Sequence, residues 1–258
     1  MSLRGTNMNK FALGMLAAVA MTGSASAADL AARPYTKAPP MIAAVYDWSG
    51  FYIGANAGGG WSHKCWDVVS PAGVFIGTEG CHDASGAVAG GQIGYRWQSA
   101  AWVFGVEAQG NWADLTGSRV SQQFIFVPGD AVDRSHVRSF GLFTGQVGYA
   151  WNNALLYVKG GAAVTEDRYD HRFTGTNVIF DSARETRWGG VVGVGLEYGF
   201  APNWSIGVEY DHMFMGDRTL TFTTPAGVAS TFDRISQDVD IVTARINYRW
   251  GGPIIAKY

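Results

Sequence analysis

Apolar and polar residues alternate along short segments of the chain, with the period of two that is typical of a β-strand presenting one apolar face. Within 241–250 the even positions are Val, Ala, Ile, Tyr and Trp, whereas the odd positions after the first are Thr, Arg, Asn and Arg. The segment 102–112 sets Trp, Phe, Val and Ala against Glu, Gln and Asn in the same way. The pattern predicts eight strands, at 49–61, 85–97, 101–113, 136–151, 154–166, 186–200, 203–214 and 236–250.

The connections between these strands alternate between short and long. The short ones are 98–100, 152–153 and 201–202, and the long ones are 62–84, 114–135, 167–185 and 215–235. Short turns on one side and long loops on the other are typical of antiparallel barrels of bacterial outer membranes. All eight prolines lie outside the predicted strands, as expected for a residue that cannot donate to a strand ladder.

Large aromatic residues sit at the ends of the predicted strands and share their apolar parity, whereas the strand middles carry glycines such as Gly91 and Gly193. Two aromatic girdles around an apolar band are what the two interfaces of a membrane favour. The predicted girdle residues are Tyr95, Trp97, Trp102, Phe104, Trp112, Tyr149, Trp151, Trp188, Tyr198, Phe200, Trp204, Tyr248 and Trp250. The prediction is therefore an all-β, eight-stranded antiparallel transmembrane up-and-down β-barrel. The alternative, a secreted carbohydrate-binding β-sandwich, would group its exposed aromatics at one site.

Composition agrees with a barrel that is apolar outside and polar inside. Charged residues make up 16% of the 258 residues and aromatics 14%, and 35 residues are glycine. Soluble proteins carry roughly 25% charged residues, and helical membrane proteins are far more apolar than this chain, whose mean hydropathy is near zero. The net charge of −2 provides no basic field for nucleic acid.

The first residues have the organisation of an export signal. Lys10 precedes an apolar run from Phe11 to Met21, and Ala-Ser-Ala at 25–27 matches a cleavage site. The predicted organisation is a cleaved signal peptide at 1–27, a periplasmic linker at 28–47, a barrel at 48–250 and a C-terminal extension at 251–258. No later apolar stretch reaches the length of a transmembrane helix.

Several motifs resemble the small outer-membrane β-barrel proteins of Alphaproteobacteria that are called outer-membrane immunogenic proteins. They are Ala-Asp-Leu-Ala-Ala-Arg-Pro at 28–34, Asp-Trp-Ser-Gly-Phe-Tyr-Ile-Gly at 47–54, Gly-Gly-Gln-Ile-Gly-Tyr at 90–95, Tyr-Val-Lys-Gly-Gly at 157–161 and Asn-Tyr-Arg-Trp at 247–250. The resemblance implies an eight-stranded porin-like barrel with surface-exposed loops and a mainly structural role in the Gram-negative envelope. Expected contacts are outer-membrane lipid, lipopolysaccharide and the barrel-insertion machinery, which reads a terminal aromatic, here Trp250 or Tyr258. The long loops are expected outside the cell and both termini in the periplasm.

An eight-stranded barrel has an interior that side chains fill, and strand parity predicts which charged residues point into it. The predicted lumen ion-pair network is Arg96, Glu107, Lys159, Glu197, Glu209, Asp211, Arg245 and Arg249. Buried charges must be paired, and Arg245 and Arg249 are expected to bridge to acids on neighbouring strands. Two functions remain open, a closed anchor that displays its loops and a narrow pore for ions or small solutes.

Cys65 and Cys81 both lie in the first predicted long loop. In an oxidising compartment they are expected to form a disulfide. Because His63 and His82 flank them, a metal site with His and Cys ligands is the alternative.

No enzyme site is predicted. Asp170-His171 and Asp211-His212 are acid–histidine pairs, but neighbouring strand residues point to opposite faces, so neither pair should converge. The prediction is a protein without catalytic residues, metal or cofactor.

Overall fold

A computed structural model describes residues 46–121 and 131–250, which form eight antiparallel strands in a closed barrel. Each strand pairs with its sequence neighbours, and β1 pairs with β8 to close the ring. The strands are β1 (Gly50–Val69), β2 (Phe75–Ser99), β3 (Trp102–Val120), β4 (Ala131–Trp151), β5 (Ala154–Phe173), β6 (Ile179–Ala201), β7 (Trp204–Thr223) and β8 (Ala229–Trp250). The predicted eight-stranded barrel is confirmed and the β-sandwich alternative is wrong. Among the described residues no helix is long and apolar enough to cross a membrane.

The strands are longer than the sequence pattern predicted. They contain 19 to 25 residues, whereas about 9–11 residues cross a bilayer. Most of each predicted long loop is strand, and the described connections that remain there are residues 70–74, 174–178 and 224–228. The prediction of four long loops is therefore wrong for most of their length, although the β-rich composition of segments such as 219–223 agrees with strands that extend past the membrane.

The barrel has two different ends. At the turn end, two-residue turns join β2 to β3, β4 to β5 and β6 to β7. Ala100 and Asn152 have φ angles of 54° and 53° there, which suit the tight turns between antiparallel strands. The opposite end, which we call the extended end, consists of strand pairs that continue beyond the outer apolar surface.

The outward surface of the turn-side half is an apolar band. On β6 the large outward side chains are each more than 40% exposed: Trp188, Val192, Val194, Leu196, Tyr198 and Phe200. Beyond Trp188 the outward positions are Thr186 and Arg184. The predicted strands coincide with this band, because apolar and polar residues alternate along the sequence only where the outward positions are apolar.

The interior is filled by side chains in successive layers along the barrel axis. Nearest the turn end lies an aromatic and aliphatic plug of Tyr46, Trp48, Val103, Ala150, Leu155 and Tyr157. Next comes a polar layer that contains charged residues of the predicted network, and above it an apolar layer of Ala84, Val88, Ala113, Leu115, Val137, Phe140, Leu142, Ala163, Val191, Met213, Met215, Val239 and Ile241. An aromatic layer of Trp66, Tyr169, Ala183, Phe222 and Ile235 follows toward the extended end.

The segment before β1 enters the turn end of the barrel. Tyr46, which the sequence assigned to the linker, is 7% exposed, and Trp48 is 1% exposed. The backbone N–H of Trp48 donates to the side-chain oxygen of Gln98 at 2.8 Å. Residues 1–45, with the predicted signal peptide and most of the linker, and residues 251–258 lie outside the described residues.

Candidate functional site

The polar layer brings the predicted network residues into the lumen. Their side chains come from β2, β3, β5, β6, β7 and β8. All eight are no more than 5% exposed: Arg96, Glu107, Lys159, Glu197, Glu209, Asp211, Arg245 and Arg249. All eight predicted residues therefore lie in the interior, but Arg187, an inward residue of the predicted strand 186–200 that is 0% exposed, was not among them.

Arg245 lies at the centre of the network. Its guanidinium forms ion pairs with Glu107 and Glu209, and it donates to the Tyr157 hydroxyl at 2.9 Å. Lys159 reaches the same acids from β5, with its Nζ 2.7 Å from Glu209 and 3.6 Å from Glu107. These contacts tie four strands together across the lumen.

Two further pairs extend the network. Lys159 Nζ lies 3.1 Å from Asp211, and Arg96 donates to Glu197 at 2.9 Å. The Asn247 amide donates to the other oxygen of Glu197 at 2.8 Å. Seven of the eight charges therefore have an opposite partner, which is the condition under which buried charges are tolerated; Arg249 is the exception.

Two tyrosines that sequence reasoning did not select complete the layer. Tyr52 donates to Glu107, and Tyr157 donates to Glu209, each at 2.6 Å. Their rings lie where a side chain on Gly94 or Gly195 would otherwise stand. The sequence signal for these tyrosines is an inward-facing glycine on the neighbouring strand, next to a long polar residue on the same face of that strand.

Arg249 does not follow the prediction that it bridges to acids. Its guanidinium donates to the backbone carbonyls of Ser49 at 2.8 Å and Pro202 at 3.2 Å. It also lies 5.3 Å from the centre of the Tyr46 ring. The cause is its position at the turn end, where the carbonyls of the entering segment and of a turn are nearer than any acid of the network.

The predicted girdle residues lie on the outer surface. Trp102 packs edge-on against Tyr149 at 5.6 Å, and Trp204 packs against Tyr248 at 5.0 Å, both at the turn end. At the other edge of the apolar band Trp188 stacks on Phe143 at 6.3 Å, and Trp112 is 79% exposed. These arrangements form two belts that flank the band.

The two cysteines form a disulfide between β1 and β2. Cys65 and Cys81 are directly opposite each other in the ladder, with Cα atoms 4.1 Å apart, so they lie within strands and not in the loop that the sequence indicated. His63 faces the outside with its Nε2 3.5 Å from Cys65 Sγ, whereas His82 points inward to Ser135. The two histidines thus lie on opposite faces, so His82 does not join a site with the cysteines. His63, Cys65 and Cys81 lie within 4.8 Å of one another, but both sulfurs are joined in the disulfide.

Removing this disulfide is expected to lower stability. The bridge spans a sequence separation of 16 residues, and closing a loop of that size stabilises a fold by about 3 kcal/mol in the chain-entropy model. Replacing both cysteines by serine should lower the urea midpoint of detergent-folded protein. Reduced wild-type protein should match the variant, and a variant that matches oxidised wild type would contradict the expectation.

A second polar group, the carboxylate–histidine cluster, lies inside the extended end and was not predicted. It consists of Glu79, Asp133, His171, Asp181 and Asp233, from five different strands, and each is at most 5% exposed. Its members come from segments that the sequence pattern assigned to loops. Asp170 and His171, which were expected on opposite faces, are both buried, but Asp170 bonds to Arg172 and not to the cluster.

The cluster lies outside the apolar band, and its groups have shifted acidities. Burial by itself would lower the pKa of His171, but the hydrogen bond to Asp181 and the neighbouring carboxylates outweigh it and raise the pKa to about 9. Burial and mutual repulsion raise the pKa of Glu79 and Asp133 well above their ordinary values. Several buried negative groups therefore compete for few positive charges.

A family model and several known proteins match this chain. The model described as the outer membrane protein beta-barrel domain matches residues 15–232. The 31 kDa outer-membrane immunogenic protein of Brucella melitensis is 26% identical over 249 residues, which cover 94% of this chain and 100% of that protein. The same protein of Brucella suis matches equally.

Two solved structures of outer-membrane proteins also match this chain. The outer membrane protein OprG of Pseudomonas aeruginosa has 12% identity and a TM-score of 0.47, covering 78% of this chain and 97% of that one. The outer membrane protease OmpT of Escherichia coli has 10% identity and a TM-score of 0.48, with the same coverages. With its closed barrel, aromatic belts and matching family model, the chain belongs to the outer membrane protein beta-barrel domain family and is a protein of the bacterial outer membrane.

Proposed function

We propose that this protein is a closed, non-catalytic anchor in the outer membrane that displays its extended end at the cell surface. The observation that carries the proposal is the stack of filled layers along the lumen. The ion-pair network spans the barrel, and the apolar layer lies directly above it. The two layers oppose the passage of ions for different reasons. The network holds fixed, paired charges, and the apolar layer offers no polar groups that could replace the water around an ion.

The packing at the turn end supports the same function. The gap among Tyr46, Trp48, Arg96 and Arg249 measures about 10 Å³, which is close to the minimum that holds one water molecule. A hydrated ion needs more space than that. The turn-end layer and the ion-pair network therefore close the lumen together. The alternative function, a narrow pore, would require several layers to rearrange at the same time.

The orientation follows from the difference between the two ends. Outer-membrane barrels place short turns in the periplasm and long connections outside the cell. Tyr46 and Trp250 both lie at the turn end here, so we infer that both termini are periplasmic and that the extended end is extracellular.

The outer surface indicates the molecular partners. The apolar band and its belts contact lipid, and exposed Arg138, Arg184 and Arg218 lie beyond the band on the extended side, where lipopolysaccharide phosphates would meet them. The last strand ends on the outward aromatic Trp250, which supports recognition by the barrel-insertion machinery. Tyr258, the other candidate signal, lies outside the described residues.

Epitope insertion tests the display function and its orientation. A short tag inserted at 224–228 should bind antibody on intact cells, whereas the same tag at 152–153 should bind only after the outer membrane is permeabilised. Both variants should show the heat-dependent electrophoretic shift of a folded barrel. Labelling of the 152–153 tag on intact cells would overturn the proposed orientation.

A further inference from the structure

The carboxylate–histidine cluster lies inside the extended end, apart from the ion-pair network and the apolar layer on which the proposed anchor function rests. His171 is its centre. The Nδ1 of His171 lies 2.6 Å from Asp181 Oδ1, so the ring donates from Nδ1 to that carboxylate. This bond fixes the orientation of the ring and leaves Nε2 directed at the remaining acids.

Three carboxylate oxygens lie within ion-pair distance of His171 Nε2, but none is within hydrogen-bond distance. The distances from Nε2 are 3.6 Å to Asp133, 3.9 Å to Asp233 and 4.0 Å to Glu79. Among the described residues, Nε2 has no hydrogen-bond partner, and neither do the facing oxygens of Asp133 and Glu79. A buried imidazole nitrogen and buried carboxylate oxygens that converge without hydrogen bonds need another partner.

The spacing suits a metal ion. Bonds of about 2.0–2.2 Å to nitrogen and oxygen place tetrahedral ligand atoms roughly 3.3–3.6 Å apart. The separation from Nε2 to Asp133 lies at the upper end of this range, and those to Asp233 and Glu79 exceed it by a few tenths of an ångström, so a contraction of the side chains would close the site. The Asp181–His171 bond is the arrangement in which a carboxylate orients a metal-binding histidine.

The charge balance favours a cation at the same place. Four buried carboxylates surround one histidine, and Arg119 is the basic residue nearest Asp133 in the ladder. Arg119 donates to the Cys81 carbonyl and is partly exposed. A divalent cation bound among these carboxylates would compensate their negative charge directly.

An entry route exists from the extended end. A cavity of about 540 Å³ is lined by Glu79 and His171 together with Val69, Pro71 and Phe232. On the other side the ring of Phe222 stacks on His171 at 4.3 Å, and the aromatic layer closes the floor. An ion could therefore reach the cluster from outside without crossing the barrel.

We propose that the carboxylate–histidine cluster binds one divalent transition-metal ion through His171 Nε2, Glu79 and Asp233, whose ligand atoms lie within 4.8 Å of one another, with Asp133 as a fourth ligand once the site closes around the ion. Asp181 is a positioning residue. An imidazole with three carboxylates suits ions such as Zn²⁺ or Mn²⁺, whereas Ca²⁺ and Mg²⁺ prefer oxygen ligands alone.

Calorimetric titration of the full chain tests the site. Protein without an affinity tag is folded in detergent, treated with EDTA, dialysed and titrated with ZnCl₂, MnCl₂ and CaCl₂ at neutral pH. We expect one Zn²⁺ or Mn²⁺ per chain, weaker Ca²⁺ binding, and a higher Tm in the presence of the bound ion. His171→Gln and Asp233→Asn should weaken binding at least about tenfold, and Asp181→Asn by roughly 10–100-fold.

The matched control is His212→Gln. His212 makes a comparable contact to Asp240 at 2.7 Å, but on the outer face, so its replacement should leave binding unchanged. The heat-dependent electrophoretic shift verifies that each variant folds. If a cluster variant does not fold, Glu79→Gln is used in its place. Absence of binding by Zn²⁺ and Mn²⁺, or binding that survives the cluster substitutions, would overturn the proposal and leave His171 as an imidazolium that neutralises its neighbours.

Discussion

Replacing Arg245 by Leu is expected to lower the free energy of unfolding by about 3–5 kcal/mol, the usual effect of removing one partner of a buried ion pair. The substitution leaves Glu107 and Glu209 inside the barrel with Lys159 as their remaining cation. Urea unfolding of detergent-folded protein, followed by tryptophan fluorescence, measures the change.

The matched control for Arg245 is Arg249→Leu on the same strand and the same face. Arg249 bonds to backbone carbonyls, so its loss leaves no carboxylate without a partner and should destabilise less. Adding Glu107→Gln to Arg245→Leu should recover part of the lost stability, because it removes an uncompensated charge. Equal losses for the two arginine variants, with no recovery in the double variant, would contradict the network.

Placing a charge in the middle of the apolar band is the second substitution that is expected to lower stability strongly. Val194→Arg puts a cation on the outer face of β6, midway between Trp188 and Phe200, and should lower the unfolding free energy in lipid by about 2–4 kcal/mol. Thr186→Arg is the control, since Thr186 faces outward on the same strand beyond the band, and it should change stability by less than about 0.5 kcal/mol.

Both variants are measured by unfolding from lipid vesicles. A penalty at Val194 that is no larger than the change at Thr186 would show that the band does not contact hydrocarbon.

The sequence predicted the strands where the two faces differ in polarity. On β8 the period of two separates Val242 and Ile246 from Arg245, so the inward face was clear. It could not say which acid Arg245 would meet, because cross-lumen contacts depend on how the strands are staggered around the barrel. Arg249 illustrates this, since its side chain points into the lumen as predicted but lies nearer to the turn end than the acids of the network.

The β-rich composition of the long loops indicated strands that extend beyond the bilayer, but the bounds of these strands escaped prediction for a physical reason. Along β6, Arg184 and Thr186 face outward while Asp181 and Arg187 face inward, so both faces are polar and the apolar alternation disappears. A segment of this kind looks like a loop although its backbone is fully paired. The carboxylate–histidine cluster was missed with it, since its five residues converge only once five strands are in register.

Conductance across a planar lipid bilayer tests the central claim that the barrel is closed. Reconstituted wild-type protein is expected to give no stepwise current, and Arg245→Leu should also remain closed because the apolar layer around Leu142 and Met213 is intact. Protein that is shown to be inserted and folded but opens discrete channels in the wild type would contradict the account and establish a narrow pore.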